Sequence, residues 1–287
     1  MNSDHIQRMN TVMNFIADNL GEILTIPVLA EQGHYAPYHF QRVFKAYAGV
    51  TVNDFITRMR IQHARKMLLF QSGLDITSVA IVCGFNSSAN FSRKFKSLVG
   101  LKPTEYRNKY RVTSSLPKKF SPEVYAEASR LQIRIKETPP MRVAYVRHMH
   151  GFLKSGMHPG IQQAYSKLYR YLLKNNALNE RERLIGISLD DPYVIPIQSC
   201  RFDACFPCDE RLFPGEDVCI RTIPGGLCAV AELDGPRELV WDLMHYMHVD
   251  WLPKSRYELD YRPFMEMFGQ CAAQPGTHVY MPVQLKA

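Results

Sequence analysis

The sequence predicts a two-domain protein of the α plus α/β class. An all-α domain of two helix-turn-helix units is followed by a domain built from a duplicated β-α-β-β unit. Three observations carry this. Residues 6–111 keep a helical spacing of apolar side chains with few breaks; residues from 130 onward alternate in the manner of strands; and each stretch repeats a pattern within itself.

The first helix is read from Ile6, Met9, Met13, Phe15, Ile16 and Leu20, with Gly21 as its stop. Thr25, Thr51, Asp75 and Thr104 stand where later helices begin, as N-caps or first-turn residues. Pro27, Pro37 and Pro103 suit first turns, where a missing N–H costs nothing. Ile26, Leu29 and Ala30 recur at an offset of 50 as Ile76, Val79 and Ala80. Phe40, Arg42, Phe44, Lys45 and Gly49 recur at an offset of 51 as Phe91, Arg93, Phe95, Lys96 and Gly100. Each copy reads as a short helix, a tight turn and a second helix, with the small alanine letting the two helices cross closely. The turn needs a left-handed residue, which is easy for Gly84 and costs more for His34.

The second helices are expected over 37–48 and 88–99. Phe40 with Phe44, and Phe91 with Phe95, lie four apart and turn inward. Tyr38, Gln41, Arg42 and Lys45 then fall on the other faces, as do Ala89, Asn90, Arg93, Lys94 and Lys96. Arginine pairs bidentately with guanine, Asn or Gln with adenine, and Lys with phosphate, so these are the groups a major-groove helix uses. A solvated basic face would account for one such helix; two copies in one register favour the nucleic-acid reading. Between them Thr51–Phe70 is predicted as a continuous helix with Phe55, Met59, Ala64, Met67 and Leu68 inward. Twenty helical residues span ~30 Å, near the ~34 Å turn of B-DNA.

Charge is distributed accordingly. Residues 1–119 hold 16 Lys and Arg against 7 Asp and Glu, while residues 120–287 hold 19 against 20. A compact basic segment joined to a neutral one fits a polyanion-binding module carrying a passenger domain. Ser and Pro interrupt the helical pattern after residue 112, so domains are expected over 1–112 and 123–287, with 113–122 as linker. Apolar runs fall far short of the ~18 residues that span a bilayer. No secretory signal is read at the N-terminus, and an odd count of 7 cysteines does not read as a disulfide framework, so the expected location is the cytoplasm.

The doubled Phe-x-Arg-x-Phe-Lys, the Gly84-Phe85 turn and the closing Gly100-Leu-Lys-Pro-Thr-Glu-Tyr-Arg107 resemble the AraC/XylS class of bacterial transcription regulators over about residues 6–111. The resemblance implies two helix-turn-helix subdomains joined by a linker helix, bound to double-stranded promoter DNA. RNA polymerase is a further implied partner, and the protein would act as a monomer or homodimer. It places Tyr38, Gln41 and Arg42 in the first contact set, and Ser88, Ala89, Asn90 and Arg93 in the second. His34 departs from the usual turn glycine, and the small Ala89 gives the second helix fewer hydrogen-bonding groups.

In the second domain Leu131, Ile133 and Ile135 alternate, and strands are expected over 142–148, 184–189, 201–206, 227–233, 261–268 and 277–283. Helices are expected over 161–175 and 237–249. Phe206-Pro207 and Met281-Pro282 close the two halves alike, and the two small sheets are expected to meet around a groove. Val143-Ala-Tyr-Val-Arg-His148, Arg201-Phe-Asp-Ala-Cys205, Ile223-Pro-Gly-Gly226 and the segment from Trp251 to Leu259 resemble the GyrI-like effector-binding domain, of SHS2 type, over about 131–285. That resemblance implies a small cationic or aromatic effector held by aromatics and a carboxylate. Glu266 lies at the expected carboxylate position, flanked by Phe264, Met265, Met267 and Phe268, with Tyr145, Trp241, Trp251 and Tyr257 as the aromatic candidates. A carboxylate among rings suits a lipophilic cation through charge pairing and cation–π contact. Core packing for each aromatic, and plain solvation for Glu266, remain open at this level.

Two other functions stay open beside a non-enzymatic regulator: hydrolysis of a reactive small molecule with Glu266 activating water, and docking of another protein. Cys200, Cys205 and Cys208 show a C-x4-C-x2-C spacing, and His245 with His248 an H-x-x-H. Nothing in the sequence brings four such ligands together, so no metal and no cofactor is expected. No Gly-rich phosphate loop and no nucleophile elbow is present.

Overall fold

The computed structural model describes residues 2–71, 73–111, 132–151, 157–179, 183–192, 194–233, 239–260, 262–269 and 276–286. The expected linker 113–122, Leu131, Arg237 and Tyr261 lie outside them. The chain divides into two compact units, one built on Met1–Val112 and the other on most of the rest. Each is described by itself.

The first unit is helical: α1 Ser3–Asp18, α2 Ile26–Gln32, α3 Pro37–Ala48, α4 Val52–Phe70, α5 Ile76–Val82, α6 Ser88–Val99 and α7 Pro103–Arg111. Thr25, Thr51 and Asp75 cap α2, α4 and α5 by accepting from the backbone N–H three residues on. Ser87 caps α6 in the same way, whereas Ala36 at the matching place before α3 has no side chain to offer. The predicted repeat is a structural repeat. Tyr35 N–H donates to the Ala30 carbonyl at 2.8 Å, and Phe85 N–H to the Ala80 carbonyl at 2.9 Å. His34 has φ of 55° and Gly84 φ of 78°, so both turns use the left-handed residue that the sequence requires. Gly49 and Gly100 close α3 and α6 with φ of 73° and 84°.

The aromatic cores match as well. Phe40 and Phe44 meet edge to face with centroids 5.7 Å apart, and Phe91 and Phe95 do so at 5.6 Å. Phe44 reaches Phe55 of α4, and Phe95 reaches Tyr106 of α7, each at 5.4 Å. Gln62 and Arg65 on α4 are buried, contrary to a simple polar-outward reading of that helix. Arg65 Nε donates to the Tyr106 hydroxyl at 3.0 Å, which gives the buried guanidinium a polar partner. Burial pushes the Tyr106 hydroxyl up to about 12.

The second unit is an antiparallel sheet with helices. Its strands are β1 Arg134–Thr138, β2 Met141–His148, β3 Leu184–Ser188, β4 Phe202–Pro207, β5 Cys219–Ile223, β6 Gly226–Leu233, β7 Tyr257–Leu259, β8 Phe264–Phe268 and β9 Thr277–Leu285. Helix α8, Pro159–Lys174, follows β2, and helix α9, Val240–Tyr246, follows β6 and runs into a wider turn, Met247–Trp251. The strand order is β1-β6-β9-β8-β3-β4-β2-β5, with β7 paired to β9.

Three features depart from the sequence reading. The two halves do not form separate sheets: β3 and β8 pair antiparallel, Ile185 opposite Met267, and fuse them into one. The edges are exchanged, since β1 precedes the first half yet pairs with β6, while β5 precedes the second half yet pairs with β2. Neither exchange leaves a mark on the local alternation, and β5 and β7 were not anticipated. The two Pro positions also differ, because Pro207 ends β4 whereas β9 runs on through Pro282, opposite Cys228.

The pairing register assigns the faces. Glu266 stands opposite Gly186, Gly186 opposite Ala204, and Ala204 opposite Val146, so these share one face. Met267, Ile185, Cys205 and Tyr145 follow one another across the same strands on the other face. That second face holds the packed cluster of Val143, Tyr145, Ile185, Ile187, Cys205, Met265 and Met267.

Candidate nucleic-acid interface and candidate ligand site

In α3 and α6 the paired phenylalanines point into the core, with Val43 beside them in α3, and leave the charged positions outward. Tyr38 is 83% exposed, and Gln41, Arg42 and Lys45 are exposed with it. On α6, Ala89, Arg93 and Lys96 are exposed, while Ser88 and Asn90 are half-buried. Ser87 folds its hydroxyl back onto the Asn90 N–H at 3.2 Å and caps the helix there. Arg42 and Arg93 occupy the same register, and each leans on the side chain three residues back. Arg93 Nη2 donates to Asn90 Oδ1 at 3.1 Å, and Arg42 Nη2 to His39 Nδ1 at 3.5 Å. Such a brace holds a long side chain partly extended, which lowers the entropy cost of presenting its fork.

In the sheet unit, Glu266 lies in the row Phe264–Glu266–Phe268, whose alternate side chains share a face. A methyl group on Gly186 would stand 2.5 Å from Glu266 Oε1 and 2.6 Å from the tip of the Phe202 ring, so the carboxylate lies directly over a glycine. Tyr165 of α8 packs edge-on to Phe268 at 5.5 Å and to Phe202 at 6.3 Å, and its hydroxyl donates to the Ile185 carbonyl. At the other end of the row His248 lies on Phe264, with centroids 4.4 Å apart. A carboxylate thus sits between aromatic walls supplied by α8 and by the turn after α9. Sequence reasoning missed Tyr165, Phe202 and His248 as neighbours of this row, because no local pattern tells which sheet position a helix side chain will cover.

The five expected ligand residues are not all brought together. Tyr145 is 1% exposed and on the opposite face from Glu266, so it lines a core and not this site. The guanidiniums of Arg147 and Arg221 lie 5.4 and 5.5 Å from its ring centroid, and burial pushes its hydroxyl far up. Arg147 in turn grips Asp203 at 2.7 and 2.8 Å. Burial acts to raise the Asp203 carboxyl, but the guanidiniums of Arg147, Arg221 and Arg201 together hold it below the usual carboxylate range. Trp251 and Tyr257 stack at 6.3 Å. Tyr257 pairs with Leu285, six residues along β9 from Val279, the partner of Glu266, which separates the two positions by ~20 Å of strand. Trp241 is 38% exposed on α9.

The cysteines are held separately. Cys200 Sγ contacts the Pro196 carbonyl, Cys205 lies in the core cluster with its thiol pushed up by burial, and Cys208 Sγ accepts from Arg142. Among the described residues no group of three or more His, Cys, Asp or Glu could hold a metal ion. No helix among them is long and apolar enough to cross a membrane.

Comparison with known proteins gives two family matches: a GyrI-like small molecule binding domain over residues 131–284, and a helix-turn-helix domain over residues 29–109. The chain is 30% identical over 99 residues to the HTH-type transcriptional activator AarP of Providencia stuartii, covering 34% of this chain and 73% of that protein. It is 37% identical over 103 residues to the melibiose operon regulatory protein of Escherichia coli strain K12, covering 34% and 32%. It is 33% identical over 99 residues to the bifunctional transcriptional activator/DNA repair enzyme AdaA of Bacillus subtilis strain 168, covering 34% and 46%. The chain thus spans less than half the length of the last two. By these matches and its fold, the chain belongs to the GyrI-like small-molecule-binding family and carries a helix-turn-helix domain of the AraC type.

Proposed function

We propose that this protein is a cytoplasmic, sequence-specific DNA-binding transcription regulator whose sheet unit senses a lipophilic cation. The observation that carries the first half is the equivalence of α3 and α6: two exposed, braced arginines in one register on duplicated turns. Tyr38, Gln41, Arg42 and Lys45 form the first contact set; Ser88, Ala89, Asn90, Arg93 and Lys96 form the second. DNA reading is assigned to residues 1–112 and effector binding to 123–287. Two reading units in one chain let a monomer occupy a full site, and RNA polymerase is the partner through which occupancy acts.

The second half rests on Glu266 between the aromatic rings of Phe264, Phe268, Phe202 and Tyr165. A carboxylate in such surroundings attracts a desolvated cation by charge and by ring quadrupoles. The role is binding without turnover. Regulation then requires the effector to bind two states of the protein with different affinity.

Selection of bound DNA from a random pool tests the first half, and a two-part motif is the expected result; unselective, weak binding would reject it. Titration with a quaternary aromatic cation such as tetraphenylphosphonium tests the second, with binding lost in Glu266→Gln. Glu266-dependent hydrolysis of an electrophilic ligand would replace the sensor reading with an enzymatic one.

A further inference from the structure

Helix α4 stands between the two reading units, packing on α3 at one end and on α5, α6 and α7 toward the other. A single helix shared by two bodies is a weak brace against twist about its own axis. A contact away from that axis resists such twist, and Arg60, in the middle of α4, makes one. Its Nε donates to the Leu20 carbonyl at 2.9 Å and its Nη2 to the Glu22 carbonyl at 2.7 Å. Both acceptors lie in the connection between α1 and α2, which belongs to the first helix-turn-helix. That connection is itself stiff: Asn19 Nδ2 donates to the Phe15 carbonyl at 2.8 Å, and Glu22 N–H returns to the Asn19 carbonyl at 3.0 Å.

The same guanidinium also touches the second helix-turn-helix. A methyl group on Gly84, the left-handed residue of the second turn, would lie 2.7 Å from Arg60 Cζ and 2.4 Å from the Leu20 carbonyl oxygen. One on Gly21 would lie 3.1 Å from the Val82 carbonyl oxygen. The α1–α2 connection of the first unit, the guanidinium of α4 and the α5–α6 turn of the second therefore meet at one point. The close approach is of backbone to backbone, made possible by two glycines and closed by one planar fork that serves two carbonyls at once.

We infer that Arg60 is a positioning residue that latches the two helix-turn-helix units in one fixed relative orientation, and so sets the spacing between the two half-sites the protein accepts. This rests on the DNA-reading proposal for its consequence, though not for its structural content. Inserting one base pair between half-sites turns the second by about 35° and shifts it by ~3.4 Å. A latched pair cannot follow that change and must give up one half-site, whereas an unlatched pair swings to keep both.

The test has two arms on the full chain, with Arg60→Met and Arg60→Lys compared to the wild type. Lysine keeps the stem and the charge but cannot fork between two carbonyls. In the first arm, spin labels carried on non-natural residues replace the exposed Glu31 and Ser97, one in each unit, and a dipolar distance distribution is measured without DNA. The wild type should give a narrow distribution and both variants a broad one; equal widths overturn the inference whatever the protein binds. In the second arm, the selected DNA is lengthened by one or two base pairs between half-sites. The wild type should lose affinity by a factor of about ten or more, as expected when linked sites can no longer be engaged together, and the variants by about threefold or less. Variants that weaken alike at every spacing would mean that Arg60 merely contacts phosphate, and would overturn it. If Arg60→Met fails to fold, Arg60→Lys answers the same question. If no two-part motif is recovered, the DNA-reading proposal fails while the distance arm still decides the latch.

Discussion

Gly186 and Glu266 face one another across neighbouring strands so closely that a single methyl on the glycine would stand 2.5 Å from a carboxylate oxygen. The absent side chain is what leaves room for the carboxylate and the tip of the Phe202 ring over the glycine. Gly186→Ala should tilt Glu266 and the Phe202 tip aside and weaken binding of an aromatic cation about tenfold, or ~1.4 kcal/mol. Calorimetric titration checks this. Glu266→Gln should remove most affinity for the cation and little for a neutral isostere, since only the former uses the charge.

The two braced arginines give the DNA-reading proposal its sharpest consequence. Arg42→Ala and Arg93→Ala should each cost ~1–3 kcal/mol on the preferred site and relax selectivity at one position. Lys45→Ala and Lys96→Ala should weaken all sequences alike and reduce the salt slope by about one. Asn90→Ala should cost less than Arg93→Ala, because it removes the brace and one amide contact but leaves the arginine fork. Fluorescence anisotropy across a salt series separates these outcomes.

Gly84 and His34 hold equivalent turn positions but differ in what surrounds them. His34 is exposed, so its left-handed backbone costs ~1–2 kcal/mol and meets no obstacle. Gly84→Ala adds a collision with the Leu20 carbonyl to the same backbone cost. Thermal unfolding should therefore show a large fall in Tm for Gly84→Ala. His34→Gly should stay within about 1 kcal/mol of the wild type, where relief of strain and the added entropy of the unfolded chain oppose each other.

His148 and His63 contribute to loss of stability toward acid. Burial, aided by His158 and His150, lowers His148 to about 4; burial, aided by Lys66, lowers His63 to about 4. Both are neutral in the folded chain near pH 5, whereas their unfolded counterparts begin to bind protons below about 6.5. Since the unfolded state binds more protons between those limits, the contribution of these two histidines to stability should be level above pH 6.5. It should then fall as pH drops toward 4, by at most ~1.4 kcal/mol per pH unit for each residue. The Tm of His148→Asn should fall less steeply over the same range than that of the wild type.

Much of the first unit was legible because its information is local. Caps, first-turn prolines, the left-handed turn residue and the phenylalanine pairs at i and i+4 act within a few residues of one another, and duplication showed the turn residue and the phenylalanine pairs twice. The order of strands and helices in the second unit was legible for the same reason, as was the row Phe264–Glu266–Phe268. The missed strand β5 is short and follows a connection with no period of its own, and β7 has only three residues.

What the sequence determined by itself is therefore the set of elements, the doubling of the reader, and the chemical types each element turns outward. Tertiary structure alone decided which elements meet. An alternating strand has a period but no phase relative to a strand eighty residues away, and only the chain of pairings from Glu266 through Gly186 and Ala204 to Val146 put Tyr145 on the far side of the sheet. Arg60 likewise looks like one more cation on a basic helix until folding carries the Leu20 and Glu22 carbonyls to its fork. Contacts between distant segments are set by the global packing that buries the core, and no single stretch of the chain contains them.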